Sequence, residues 1–351
     1  MLRAGSGEEC ERPRGLARRT GRNHMNICMI GHGMMGTWHS ESLGAAGCVL
    51  HTLVGRVPAK AQAFAQAYAY RRWTVDLGEA LSDPEIEVAV VAGPSQTHAG
   101  MALAALRAGK HVLVEIPLAL SLADAEEVVE TADRLGLTLG VVHPLRFRPE
   151  FAALVALLRD GGERLRHVQA RLFLHRLDNV GSTGLRRSWT DNLLWHHGAH
   201  LVDVGLWLAG GGDPAAAEAA ITRLASVMPP PHGVTGIPME FSATIETGPE
   251  QAIVCTGSYH CRERIFDVLA VTDRDSYRLD MLRASFTTGA GAADACSEQE
   301  ANALCALDFV AALRERRPPL VTGRSVLPAM RVLQRIEDDD AQWRRAAKAA
   351  G

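Results

Sequence analysis

A short apolar run, Asn26 to Ile30, leads straight into Gly31-His32-Gly33-Met34-Met35-Gly36, after which Trp38 to Ala46 continues with helical character. Strand, glycine turn and helix in that order allow few folds. The first glycine makes the tight turn, the second lets backbone approach a pyrophosphate, and the third lets the helix pack closely on the strand. Free N–H groups at the helix start then face the phosphates. Because 33 glycines produce such spacings by chance, the weight lies on the position directly after the first strand. Gly31, His32, Gly33, Met34, Met35 and Gly36 are therefore candidate cofactor contacts.

The second apolar run, Val49 to Val54, ends in Gly55-Arg56, where a carboxylate would hold the ribose 2′-hydroxyl of NAD. No Asp or Glu stands there. Arg56 suits a 2′-phosphate, with Lys60 one helical turn on, so NADP is expected over NAD; use of both stays open if Arg56 is only solvated. Strands at Val88 to Ala92, His111 to Glu115 and Thr138 to Val142 alternate with helix-like segments at His98 to Ala108 and Ala123 to Leu135. That alternation of near-continuous apolar strands with helices predicts an α/β fold, a doubly wound parallel sheet of the Rossmann type over residues 25–145. Strand ends line the crevice in such sheets, which adds Gly93, Pro94, Ser95, His98, Glu115, Ile116 and Pro117 to the cofactor candidates.

After Pro144 the pattern changes. A helix-like segment near Phe151 to Leu158 and a strand from His167 to Leu174 precede a polar loop and a histidine-bearing helix ending near Ala209. Runs at Glu240 to Glu246, Ala252 to Tyr259, Ile265 to Thr272 and Ser276 to Leu279 then follow one another without intervening helices. This predicts a second, α+β domain over 146–351 with a mainly antiparallel open sheet, whose free face suits a homo-oligomer. The helix-like segments Glu300 to Arg314 and Ser325 to about Trp343 close the chain and are expected to pack back on the first domain. Residues 1–24, with six arginines among Gly and Glu and no apolar period, read as a disordered tail. Glu8, Glu9 and Glu11 argue against a transit peptide.

Composition narrows the function class. A net charge of -3 with dispersed basic residues gives no field to draw nucleic acid, and no apolar run approaches the ~18 residues of a membrane helix, so a small-molecule partner is expected. Seven scattered cysteines without a C-x-x-C pair fit reduced thiols in a cytoplasm.

Chemistry concentrates in Ser188-Trp189-Thr190-Asp191-Asn192-Leu193-Leu194-Trp195-His196-His197-Gly198-Ala199-His200-Leu201-Val202-Asp203. On a regular helix His196, His200 and Asp203 fall at i, i+4 and i+7, which puts two imidazoles and a carboxylate on one face. A single histidine is more often a satisfied structural residue, but three within five residues beside an Asp favour proton chemistry. His200, His196, His197 and Asp203 are the catalytic candidates, with the proton acceptor among the histidines undecided. Zinc hydrolysis is disfavoured because position 197 is His where H-E-x-x-H needs Glu, and no metal is expected.

The glycine turn, the stretch Ala108-Gly109-Lys110-His111-Val112-Leu113-Val114-Glu115-Ile116-Pro117 and the histidine of the second domain resemble the Gfo/Idh/MocA oxidoreductase family over Met25 to about residue 340. Members usually carry Glu-Lys-Pro where this chain has Glu115-Ile116-Pro117, and Asp-x-x-x-His where it has His196-x-x-x-His200. Ile116 cannot serve as the family lysine does in acid/base work. Glu-Ile-Pro, Arg187 to Asp191 and the Leu-Leu-Trp-His-His run look like a narrower branch. That branch implies NADP-dependent oxidation of 4-carboxy-2-hydroxymuconate-6-semialdehyde, as its cyclic hemiacetal, to 2-pyrone-4,6-dicarboxylate in protocatechuate 4,5-cleavage.

A hemiacetal is already at the alcohol level, so loss of a hydride and one hydroxyl proton suffices and no cysteine nucleophile is needed. The resemblance places His200 as the base and His196 as its partner or a substrate donor, with Asp203 orienting an imidazole. Two carboxylates call for Arg forks, for which Arg146, Arg176 and Arg187 are candidates, with Trp189 and Thr190 as wall and hydroxyl. Glu115 fits a structural carboxylate near the cofactor. A sugar or cyclitol dehydrogenase of the same family and a non-catalytic NADP-binding sensor are the competing readings.

Overall fold

The glycine-turn strand β1 (Asn26–Ile30) lies inside a sheet with β2 (Val49–Val54), β3 (Arg72–Thr74), β4 (Val88–Val91), β5 (His111–Glu115) and β6 (Leu139–Val142) in the computed structural model. Their order is β3-β2-β1-β4-β5-β6 and every neighbouring pair is parallel. The chain direction across the sheet reverses between β1 and β4, and that switch point opens the crevice in which doubly wound sheets bind ligands. The structure describes residues 24–181, 184, 186, 188–189 and 192–350. Apart from His24, the expected tail lies outside them, as do Arg187 and Thr190.

Helices α1 (Met34–Ala45), α2 (Pro58–Ala67), α3 (Leu77–Leu81), α4 (His98–Arg107) and α5 (Leu122–Leu135) connect these strands. Local chemistry sets their ends. In α5 the Ser121 hydroxyl accepts from Asp124 N at 3.1 Å, and Gly136 closes the helix in the left-handed region at φ 64. β1 and β4 are buried almost throughout, as strands covered on both faces must be.

The second sheet follows α6 (Pro149–Arg159). It comprises β7 (Leu165–His175), β8 (Ile221–Val227), β9 (Glu240–Thr247), β10 (Ala252–Ser258), β11 (His260–Thr272), β12 (Ser276–Asp280), β13 (Ser285–Thr288) and β14 (Gly291–Asp294), in the order β14-β13-β12-β11-β7-β10-β9-β8. β7 pairs with β10 in parallel and the other neighbours are antiparallel. One face is covered by α7 (Ala199–Ala209), and α8 (Pro214–Ala219) packs on α7. On β9 the side chains of Phe241, Ala243 and Ile245 are buried while Ser242 and Thr244 are exposed, the alternation of a sheet with one open face.

The last helices tie the two sheets together. α9 (Glu298–Glu315) lies on α1 and joins the core around Ile27 and Met29 through Cys305, Phe309 and Val310. A reciprocal cap between Ser297 and Glu300 fixes its start beside the crevice. α10 (Gly323–Ala350) spans α5, α7 and α8.

Candidate active site

Between the strand ends of the first sheet and the histidine-bearing segment lies a cleft of about 780 Å³. The glycine turn forms one wall. Gly31 holds φ at +117, and a Cβ there would stand 2.5 Å from the Ala92 carbonyl oxygen; a Cβ on Gly36 would stand 2.4 Å from the Gly31 oxygen. Side chains at these positions are excluded by backbone, so the turn lies flat and a pyrophosphate can meet it and the start of α1 directly. Gly33, Met34 and Met35 line the same wall. The cradle fits a nicotinamide dinucleotide.

Arg56 lines the cleft at the end of β2 beside His32. Burial, and then the charges of Lys60 and Arg56, lower the pKa of His32, so this end gathers two cations around a neutral ring. Across the cleft Glu115 is buried and its carboxylate meets Nε2 of His39 at 2.5 Å. His98 sets its ring nitrogens 2.7 Å from the Pro117 carbonyl oxygen and 3.0 Å from that of Gly93. It thereby joins the loops after β4 and β5, with Gly93, Pro94, Ser95 and Ile116 on the cleft wall and Pro117 behind it. Burial lowers the pKa of His98 while the two carbonyls oppose the shift.

The histidine segment departs from the regular helix expected of it. Leu194–Gly198 form a π-helical turn before α7 begins. His196 and His197, both within this wider turn, line the cleft together with His200. Asp203 does not join them. It is 1% exposed behind the cleft, where Oδ2 accepts from Arg146 Nε at 2.8 Å and lies 2.9 Å from His143 Nδ1, and Oδ1 accepts from Arg146 Nη2 at 2.5 Å. The imidazole it orients is that of His143, at the end of β6. Burial would raise the carboxyl pKa of Asp203, but Arg146 and His143 outweigh it and hold the group well below the carboxylate range. No group of three or more His, Cys, Asp or Glu among the described residues is placed to hold a metal ion.

Hydrogen bonds separate the three cleft histidines. Ser95 Oγ lies 2.9 Å from His196 Nδ1, a link between the two halves of the protein. Tyr259 Oη lies 2.7 Å from His197 Nδ1. His200 has no hydrogen bond to a described residue, and its ring stands edge-on to Phe266 at 6.0 Å. Burial, then the neighbouring His143 and His196, push its pKa down to about 3 against the opposing charge of Asp203. At cellular pH His200 is thus neutral and keeps a lone pair on one ring nitrogen.

Of the arginines expected at substrate carboxylates, Arg146 is corrected. It is 2% exposed, bound to Asp203 and to the Ser325 carbonyl oxygen, and lies outside the cleft, because a buried guanidinium needs a paired acid. Arg176 does line the cleft, 5.7 Å from the Trp189 ring and 5.3 Å from that of Tyr259. Trp189 backs this arginine and does not form the cleft wall itself. Sequence reading missed Arg264, Glu298 and Asn302, which also line the cleft. Arg264 sits in the Cys261-Arg262-Glu263-Arg264 run that passes for a surface charge cluster, and Asn302 lies a turn inside a helix distant in sequence. Among the described residues no cysteine reaches the cleft, and burial pushes the Cys28 and Cys255 thiols up to about 12.

Comparison with known proteins shows which family the chain belongs to. The profile of the GFO_IDH_MocA oxidoreductase family, NAD-binding Rossmann fold, matches residues 25–143, and that of bacterial oxidoreductase C-terminal domains matches residues 150–263. Over 319 residues the chain is 30% identical to 4-carboxy-2-hydroxymuconate-6-semialdehyde dehydrogenase of Sphingobium sp. (strain NBRC 103272 / SYK-6), covering 89% of this chain and 98% of that one. The chain belongs to the Gfo/Idh/MocA oxidoreductase family. Scyllo-inositol 2-dehydrogenase (NAD(+)) of Bacillus subtilis (strain 168) is 28% identical over 132 residues, 37% of this chain and 39% of its own. Levoglucosan dehydrogenase in complex with NADH shares the fold with a TM-score of 0.77 at 17% identity, over 91% of this chain and 97% of that one. As a Gfo/Idh/MocA member the protein is an NAD(P)-dependent dehydrogenase, of a family that acts on alcohol or hemiacetal groups.

Proposed function

We propose that the protein oxidises the cyclic hemiacetal of 4-carboxy-2-hydroxymuconate-6-semialdehyde to 2-pyrone-4,6-dicarboxylate, with NADP as the preferred oxidant. The observation that carries this reading is the trio His196, His197 and His200 beside Arg176 in a cleft where Ile116 stands in place of the family lysine. Acid/base work then falls to imidazole, and a fixed cation is present for an anionic substrate. The dinucleotide supplies a hydride acceptor. His200 takes the hemiacetal hydroxyl proton as the C–H hydride departs, and that carbon becomes the lactone carbonyl. Arg176 and Arg264 offer charge to two carboxylates, and the glycine turn with Arg56 and Lys60 holds the dinucleotide. Full-length similarity to the Sphingobium enzyme supports the same substrate class.

The test mixes the protein with freshly formed protocatechuate 4,5-cleavage product and NADP or NAD, and follows absorbance of the reduced nicotinamide. Rapid reduction with NADP and appearance of the pyrone dicarboxylate is the expected result. Binding of NADP without reduction would reject this substrate and move the reading to a sugar or cyclitol. Arg56 gives a separate prediction. Arg56→Asp removes the partner of the 2′-phosphate and supplies an acceptor for the 2′-hydroxyl, so the ratio of kcat/KM for NADP to that for NAD falls on the order of tenfold or more. An unchanged ratio would show that Arg56 is merely solvated.

A further inference from the structure

Tyr259 is fully buried, and its hydroxyl oxygen lies between two ring and chain ends of the cleft wall: 2.7 Å from His197 Nδ1 and 2.9 Å from Arg176 Nη1. A guanidinium only donates, so Arg176 fills a lone pair of that oxygen. The phenol carries one proton; donated across the 2.7 Å contact, it makes His197 Nδ1 the acceptor. An imidazole that accepts at Nδ1 and is neutral has its proton on Nε2. Neutrality is enforced here, since burial, followed by the charges of His196, Arg176 and His200, lowers the pKa of His197 well below the ordinary value.

Arg176 is itself held firmly. Its guanidinium lies against the Trp189 and Tyr259 rings, Nη2 donates to Asn179 Oδ1, and its backbone N donates to the Tyr259 carbonyl oxygen at 2.9 Å. With Nδ1 held by the buried tyrosine and the residue lining the cleft, Nε2 is the ring nitrogen of His197 left to meet a ligand there.

We propose that Arg176 and Tyr259 are positioning residues that lock His197 as an Nε2–H donor, which together with the Arg176 charge binds an anionic oxygen of the substrate. His197 is then a recognition group and not the base, so proton removal falls to His196 or His200, of which the function proposed above assigns it to His200. The identity of the anion as a carboxylate rests on the function proposed above; the tautomer does not.

Long-range proton–nitrogen correlation spectra of histidine-labelled protein near pH 7 read the tautomer without substrate, with His197→Gln supplying the assignment. The expected pattern for His197 is protonation at Nε2. An Nδ1–H pattern in the unmodified protein overturns the proposal whatever the variants do. Tyr259→Phe keeps the ring and removes the hydroxyl, so the Nε2–H pattern gives way to a mixture of tautomers. KM for the carboxylated hemiacetal then rises on the order of tenfold with kcat changed much less. A cyclic hemiacetal without carboxylates shows no such rise. Equal losses in kcat and kcat/KM for both substrates would also overturn the proposal. Failure of the unmodified protein to oxidise the carboxylated hemiacetal would remove the dicarboxylate reading while the spectra still decide the tautomer.

Discussion

His200→Ala lowers kcat by about 10²- to 10⁴-fold, the range a positioned acid or base contributes, and leaves the affinity for NADP nearly intact. The separation follows from the site. His200 faces the cleft from the start of α7 with no hydrogen bond to a described residue, whereas the dinucleotide cradle is built from the glycine turn and the ends of β2, β4 and β5. Steady-state turnover together with quenching of protein fluorescence by NADPH measures both quantities. Loss of cofactor affinity would instead place His200 in the cofactor pocket, and unchanged turnover would remove it as the base. The pH profile adds an independent check. A base held near pKa 3 stays deprotonated through the neutral range, so kcat/KM shows no acid limb near 6.5 arising from His200. A limb there that disappears in His200→Ala would contradict the burial argument.

Much of the first half was legible because its signals are local. The glycine turn needs only the order strand, Gly31 to Gly36, helix, and the apolar strands around it are covered on both faces. β3 was not anticipated: Arg72 and Trp73 are exposed and only Thr74 is buried, so its three residues carry no apolar run. In the second half β8 escaped for a related reason, since the half-exposed edge strand Ile221–Val227 buries no residue fully and so lacks clean alternation. β13 and β14 are four residues each and largely uncovered. The histidine segment shows a deeper limit. Residue types and i, i+4 spacing gave His196 and His200 their shared cleft, but spacing could not show that Asp203 turns to Arg146 and His143 behind it. Helical spacing points Asp203 into the site, and the family resemblance with the need to pair substrate carboxylates points Arg146 there. Only the fold reveals that they satisfy each other, because their partnership spans 57 positions of sequence.

That buried pair carries the largest expected effect on stability. Arg146→Met leaves Asp203 charged, buried and short of its strongest partner, and costs about 3–5 kcal/mol of unfolding free energy. Arg146→Met combined with Asp203→Leu costs less than the sum of the two single changes, since neither charge is then stranded. Denaturant midpoints of the four proteins measure the coupling. A substrate-binding Arg146 predicts the opposite pattern, a raised KM with an unchanged midpoint, so one experiment separates the roles. Acid sharpens the test. Asp203 has a folded pKa depressed below its unfolded value of about 3.9. Its contribution is therefore fully present above that value and is lost as pH falls through the folded pKa. Below about pH 4 the unmodified protein thus loses a component of stability that Asp203→Asn never had, and the midpoints of the two converge. Parallel midpoints down to pH 2 would show that the carboxylate is not held by its neighbours. The same contacts join the end of β6 to α7, the helix that carries His200, so a loosened pair also slows catalysis by letting that helix shift against the crevice.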